Sequence, residues 1–451
     1  MNTGNHGTTR ATHKRRSQFW ILLLALLLVS WLTGCSFNLE LLSSYLPAGI
    51  LRSPTPQVVL TTPPPPSPEP PRVTATPELQ LMTLWVPPQF DPRANTVAGN
   101  LLKDQLEEFV RLNPQTQIRV RVKSLTGSGG LLESLTAANA AAPSAVPSLV
   151  LLSRSDLETA ALKSLVYPLN EGQTLLADSD WYPYARDLAL VDGSVLGVPF
   201  AGDALLMVYR TGRIGQPTNT WAGILGRGQP VVFPAADPQA LLPLSLYRSI
   251  EGKIQDEQGR PYAQPKELTA VLELFSNGAR SGVFPTWLTQ IQTDGQAWQA
   301  YNENRSNWLV TWSSRYLTEL PADSSAIGLP PLGDQNFTLA SGWLWAVSEP
   351  LANHRSAAEK LAIFLADADF LAEWSDDSSY LPVRPTSLSG WNNQTLRSLA
   401  NQVVLSAEVR PGGSISTSLG PIFAEAVQLV IKNQNTPEEA AQIATDQLTT
   451  P

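Results

Sequence analysis

Few side chains in this 451-residue sequence are suited to covalent chemistry. Cys35 is the single cysteine, so no intramolecular disulfide can form and a cysteine metal cluster is excluded. Of the three histidines, His6 and His13 precede an apolar segment, which leaves His354 alone in the body. A Ser-His-Asp hydrolase would have to use that histidine, which stands beside Arg355 and just ahead of Ser356. Neither Gly-x-Ser-x-Gly nor Ser-x-x-Lys occurs anywhere in the sequence. Two carboxylates can run glycoside hydrolysis when they are suitably separated and titrate unequally. The evident pairs, Asp376-Asp377 and Glu438-Glu439, are adjacent, which fits a solvated surface or a helix start better. Tryptophan, by contrast, is abundant, with 13 residues. Flat aromatic platforms beside planar polar side chains suit a polyol, whose ring faces are apolar and whose edges carry hydroxyls. These residues favour capture of a small molecule over its conversion, with no metal and no cofactor required.

The framework that must hold such residues is globular, with 43% hydrophobic and 16% charged residues, and its length predicts two lobes plus appendages. The formal net charge is −8, and Arg10, Lys14, Arg15 and Arg16 are gathered at the start. No clustered basic face is present to meet a phosphate backbone, so a nucleic-acid partner is excluded.

The start reads as an address. Lys14-Arg15-Arg16 runs into a mostly apolar stretch from Phe19 to Leu32. As a helix this stretch would extend about 21 Å, short of the roughly 30 Å hydrocarbon core, which predicts a signal-peptide core over residues 1–34. Leu32-Thr33-Gly34-Cys35 resembles the bacterial lipobox, which implies cleavage before Cys35 and acylation of its thiol. Residues 35–78 read as a tether. Pro63-Pro64-Pro65-Pro66 and its neighbours favour extended polyproline II with a reach of about 80 Å.

From residue 79 the chain alternates strand and helix. Leu79 to Val86 is a first strand. Val97, Leu101, Leu102, Leu106, Phe109 and Val110 share a helical face that Asn113-Pro114 closes, and Ile118, Val120 and Val122 alternate with basic residues. An Ala-rich helix and the buried run Ser148 to Leu152 follow, then a helix over Asp156 to Leu165, which together predict a parallel sheet covered by helices. Near the end, Ser356 with Glu359 and Thr436 with Glu439 have capping-box spacing, and a helix is expected over Pro421 to Ile431.

Several stretches, in order, resemble the family 1 extracellular solute-binding proteins of ABC importers. They are Phe109 to Pro114 with the strand after it, Val191 to Phe200, Leu205 to Arg210, Trp308 to Trp312, Ser341 to Ser348, and Leu381-Pro382-Val383-Arg384. The resemblance covers about residues 79 to 448. It implies an α/β, two-lobed periplasmic-binding-protein-like fold, each lobe a mainly parallel sheet flanked by helices, with the cleft at the hinge. Lobe one would take 79–200 and 326–376, and lobe two 201–325 and 377–451. It also implies a monomer, lipid-anchored on the outer face of a bacterial membrane, that closes over a solute, carbohydrate being the favoured class, and presents it to permease subunits.

Carried onto this sequence, the family's stacking tryptophan falls on Trp312, and its acidic and polar contacts fall on Asp203, Asp237 and Gln239. Trp85 and Arg154 lie at the carboxyl ends of strands, where open α/β sheets bind ligands, and Trp343 lies on the strand returning to lobe one. The maltose-binding pattern is broken at Leu152, Ser155-Asp156, Gln239 and Ala424, so maltose is not the expected solute. A sensory or adhesive lipoprotein on the same fold is the other reading, and an extracellular glycoside hydrolase a weaker one.

Overall fold

The computed structural model of the protein describes residues 79–449; Cys35, the signal peptide and the tether lie outside them. β1 (Gln80–Val86), α1 (Val97–Leu112) and β2 (Thr116–Val122) follow in the expected order. Helix α1 buries Leu102, Leu106 and Phe109 on one face, and the Thr96 hydroxyl accepts from the Gly99 amide to cap its first turn. Asn113 closes it by donating its side-chain amide to the Phe109 carbonyl at 2.9 Å. In β2, exposed Gln117, Arg119 and Arg121 alternate with half-buried Ile118, Val120 and Val122. Then come α2 (Leu131–Ala141), β3 (Leu149–Ser153) and α3 (Arg154–Leu162). Helix α3 begins earlier than the apolar spacing predicts because the Ser153 hydroxyl accepts from the Asp156 amide and starts the first turn at Arg154.

The remaining strands of the main sheet are β4 (Val198–Arg210), β5 (Val231–Val232), β6 (Trp308–Trp312), β7 (Ser324–Gly328), β8 (Thr338–Val347) and β9 (Ala407–Val409). Helix α4 (Ser313–Glu319) leaves the end of β6 directly, and α5 (Gly413–Ile431) and α6 (Pro437–Thr449) close the chain. The strands run β2-β1-β3-β8-β4-β6-β5, with β9 beside β8 and β7 beside β4. The outer pairings are parallel, whereas β8 and β4 run antiparallel to each other, to β3 and to β6.

Strand β4 joins two halves. Its residues from Val198 to Ala204 pair with β8, and those from Leu205 onward pair with β6 and β7. A hairpin of Leu190–Val191 with Ser194–Val195 leads into it. The turn needs two left-handed residues, supplied by Asp192 (φ 48°) and Gly193 (φ 77°), so the motif's glycine meets a backbone requirement. A second crossing lies alongside, where Gly202 and Leu381 exchange backbone hydrogen bonds of 2.8 Å in both directions. On one side of this seam Phe90, Phe200, Trp343, Trp374 and Tyr380 pack ring against ring, and on the other Phe233, Phe275 and Phe284 do the same.

Residue 326 lies inside β7, which pairs with β4 beyond Leu205. After residue 377, Trp391 donates its indole N–H to Ser375 Oγ at 2.9 Å and the helix Pro385–Ser389 packs against Ala368–Asp377. Two expectations are corrected. Ser356 caps nothing: its helix already begins at Ala352, and the Glu359 carboxylate is buried, accepting from the Asn170 and Glu171 amides. Helix α5 starts at Gly413 and not at Pro421, which sits inside it and forfeits one backbone hydrogen bond in a helix held by its buried face. The Thr436–Glu439 capping box does form, with the reciprocal bonds at 3.2 and 3.0 Å.

Candidate functional site

Parallel strands β5 and β6 end side by side, and their carboxyl ends open into a cavity of about 300 Å³. Trp312, the last residue of β6, lines it together with Leu205 of β4 and Phe233 just beyond β5. Phe233 is wholly buried and forms the floor, whereas Trp312 keeps part of its surface free. The polar lining comes from Asp237, Gln239, Gln292, Thr293, Asp294 and Arg410. One flat ring beside carboxylates, an amide and a guanidinium makes a surface for a molecule with an apolar face and hydroxylated edges.

Each polar group is held differently. Asp237 accepts from the Gln239 amide at 2.9 Å, a local turn that fixes the loop after β5. Burial raises its pKa against the attraction of Arg410. Gln239 accepts a 2.6 Å bond from Arg410 Nη1. Asp294 is engaged by Thr311 Oγ1 and Arg315 Nε, each at 2.5 Å. Arg410 follows β9, where its amide donates to the Ala340 carbonyl at 2.9 Å. Burial lowers its pKa, opposed by the carboxylates of Glu158, Asp156 and Asp237. Arg410 was not among the residues singled out from the sequence, and no local signal marks it.

Gln239 and Arg410 also line a second, larger cavity of about 720 Å³, so the two spaces meet at these side chains. Its walls are α3 on one side and the first turns of α5 on the other. The loop bearing Asp237 and Gln239 lies directly on α5 because a side chain at Gly420 would collide with the Pro238 carbonyl oxygen.

The seven residues expected at the site separate. Asp237, Gln239 and Trp312 come together in the smaller cavity. Arg154 reaches the larger one but is 8% exposed and engaged through Nε and Nη1. Its Nε donates to Glu158 at 2.8 Å and its Nη1 to the carbonyls of Asp187, Leu188 and Leu190, so it ties α3 to the neighbouring chain. Trp85 is 3% exposed and lines neither cavity, because its strand turns that side chain into the core, with the Lys123 ammonium 4.6 Å above the ring. Trp343 likewise packs away from both cavities, edge-on to Phe90 at 5.2 Å.

Asp203 is a helix cap. It accepts from Ser313 Oγ at 2.7 Å, from the Ser314 amide at 2.9 Å and from Ser314 Oγ at 2.5 Å. These bonds fasten β4, two residues before Leu205 takes up its new partner, to the start of α4 immediately after Trp312. Burial pushes the Asp203 pKa up to about 6, with the hydrogen bonds opposing and Asp294 adding repulsion.

Asp376 accepts from Asn392 and Glu439 belongs to the cap of α6, so neither adjacent carboxylate pair reaches the cavities. Among the described residues no group of three or more His, Cys, Asp or Glu is placed to hold a metal ion.

Residues 107–396 match the family described as bacterial extracellular solute-binding protein. A comparison with curated proteins finds no significant match. Among solved structures the fold is similar to the cyclic α-maltosyl-1,6-maltose binding protein of Arthrobacter globiformis, with a TM-score of 0.67 at 15% identity, covering 82% of this chain and 97% of that one. The sugar-binding protein MalE of Xanthomonas citri gives 0.66 at 17% identity, covering 82% and 96%. Maltose-bound MalE3 of T. maritima gives 0.60 at 17% identity, covering 82% and 98%.

Proposed function

From the premise that this chain belongs to the bacterial extracellular solute-binding proteins, we propose that it captures a carbohydrate in the cavity beside β4 and presents it to ABC permease subunits. The observation that carries this reading is the convergence of Trp312, Asp237, Gln239 and Arg410 on one 300 Å³ space at the carboxyl ends of β5 and β6. A neutral polyol fits that chemistry better than an anion does. Arg410 already lies among Asp156, Glu158 and Asp237, and a carboxylate or phosphate ligand would meet their repulsion. The same fold is found in proteins named for binding maltose and cyclic α-maltosyl-1,6-maltose, which supports the class and leaves the particular sugar open.

In this reading the first lobe takes residues 79–204 and 329–391, the second 205–328 and 392–449, and β4 with the Gly202–Leu381 contact serves as hinge. Solute touching both lobes shifts the population toward a closed monomer, and acylated Cys35 keeps that monomer beside its permease. The chain itself is a binder and catalyses nothing. Titration calorimetry against mono- and oligosaccharides, polyols, amino acids and polyamines tests the reading. Binding is expected within the sugars, with quenched tryptophan emission, and binding confined to amino acids or polyamines would overturn it.

A further inference from the structure

The two cavities that meet at Gln239 and Arg410 differ in chemistry. The smaller offers a ring and several polar groups. The larger, of about 720 Å³, contains no aromatic side chain, and several of its polar groups are engaged within the protein. Arg154 gives its Nε to Glu158 and its Nη1 to three carbonyls, and the second oxygen of Glu158 accepts from the Gly413 amide at 2.8 Å. The hydroxyl protons of Thr159, Ser416 and Thr417 go to the carbonyls of Ser155, Pro411 and Gly413 at 3.0, 2.7 and 2.8 Å. Those side chains therefore turn carbon outward.

Between them stand Leu162, Val191, Pro238 and Pro421. Leu162 is 81% exposed, a large apolar side chain at the cavity wall with nothing over it. A sugar ring placed here would find no aromatic face to stack on and three hydroxyl protons already committed, so its loss of water is poorly offset. An apolar group would lose only unfavourable hydration, worth about 25 cal/mol per Å² buried.

We propose that the solute is amphipathic, a glycoside whose sugar occupies the smaller cavity and whose apolar substituent passes Gln239 and Arg410 to lie against Leu162, Pro238 and Pro421. The inference rests on the carbohydrate reading above and adds the nature of the aglycone. The substituent, more than further sugar units, then sets affinity, and its burial gives binding a negative heat-capacity change.

The test is calorimetry with matched methyl and hexyl glycosides of glucose, galactose and mannose, on the wild type and on Leu162→Asp. The exposed position of Leu162 leaves the fold of the variant intact, which thermal unfolding checks. For the sugar that binds, the hexyl glycoside is expected to bind at least tenfold more tightly than the methyl one in the wild type. That gain is expected to vanish in Leu162→Asp while methyl glycoside affinity stays the same. Equal affinities in the wild type, or a gain that survives in Leu162→Asp, would overturn the proposal and leave the carbohydrate reading standing. A protein that binds free sugars but none of these glycosides would likewise overturn the proposal and leave the carbohydrate reading standing.

Discussion

The Arg410 guanidinium donates to the Gln239 side-chain oxygen at 2.6 Å, joining residues 171 apart in sequence where two cavities meet. It also lies close enough to Asp156, Glu158 and Asp237 for each to stabilise its charge. Replacing it by alanine removes a planar donor from the site and the positive charge that attracts these three carboxylates. Arg410→Ala is therefore expected to weaken solute binding at least tenfold, and Arg410→Lys to recover only part of it, since an ammonium keeps the charge but not the fork. Calorimetric affinities of the two variants, with urea unfolding as a check on folding, decide the point; wild-type affinity in Arg410→Ala would remove this residue from the site.

Trp312 ends β6 and faces the smaller cavity with part of its ring free. A sugar stacked there loses its platform in Trp312→Ala, and a tenfold weaker complex corresponds to about 1.4 kcal/mol. Trp312→Phe keeps an aromatic face and is expected to lose less. Unchanged calorimetric affinity in a folded Trp312→Ala protein would assign the ring to packing alone.

Asp203 carries a pKa pushed up to about 6 from an ordinary 3.8, so the folded protein holds this proton more tightly than the unfolded chain does. Between those values the folded state binds more protons, and stability falls as pH rises. The contribution is fully present below pH 4 and gone above pH 6, amounting to at most about 3 kcal/mol. Asp203→Asn keeps acceptors for the Ser313 hydroxyl and the Ser314 amide but cannot titrate. Urea midpoints measured from pH 4 to 7 should show the wild type losing stability relative to Asp203→Asn as pH rises. Parallel profiles would place the Asp203 pKa near its ordinary value.

The elements were legible where local pattern and tertiary packing agree. The one-sided apolar spacing of α1, the alternation in β2 and the Thr436–Glu439 box are all present as the residues predict. Ser356 and Glu359 have the same spacing as that box, yet Glu359 is claimed by the amides of Asn170 and Glu171, about 190 positions away, a competition no local window contains. Trp85 shows a similar limit: its apolar run locates the strand end but not the face on which its side chain lies. Arg410 went unnoticed because the pairing of β9 with β8 brings it to the cavity, and neither a short three-residue strand nor a lone arginine advertises such a contact.

Arg154 gives the sharpest contrast between a residue that lines a cavity and one that binds from it. Its guanidinium is 2.8 Å from Glu158 and within 2.9 Å of three backbone carbonyls. Truncating it leaves those carbonyls without their donor and Glu158 buried with the Gly413 amide as its remaining hydrogen-bond donor. Breaking a buried pair from one side costs about 3–5 kcal/mol, far more than a surface pair. Arg154→Ala is thus expected to lower unfolding free energy by that order in urea titrations. Under conditions where it remains folded, its affinity for a simple methyl glycoside should stay within threefold of the wild type, because the sugar's contacts lie on β5, β6 and Arg410. A variant of normal stability that had lost its affinity would instead make Arg154 a direct ligand of the solute.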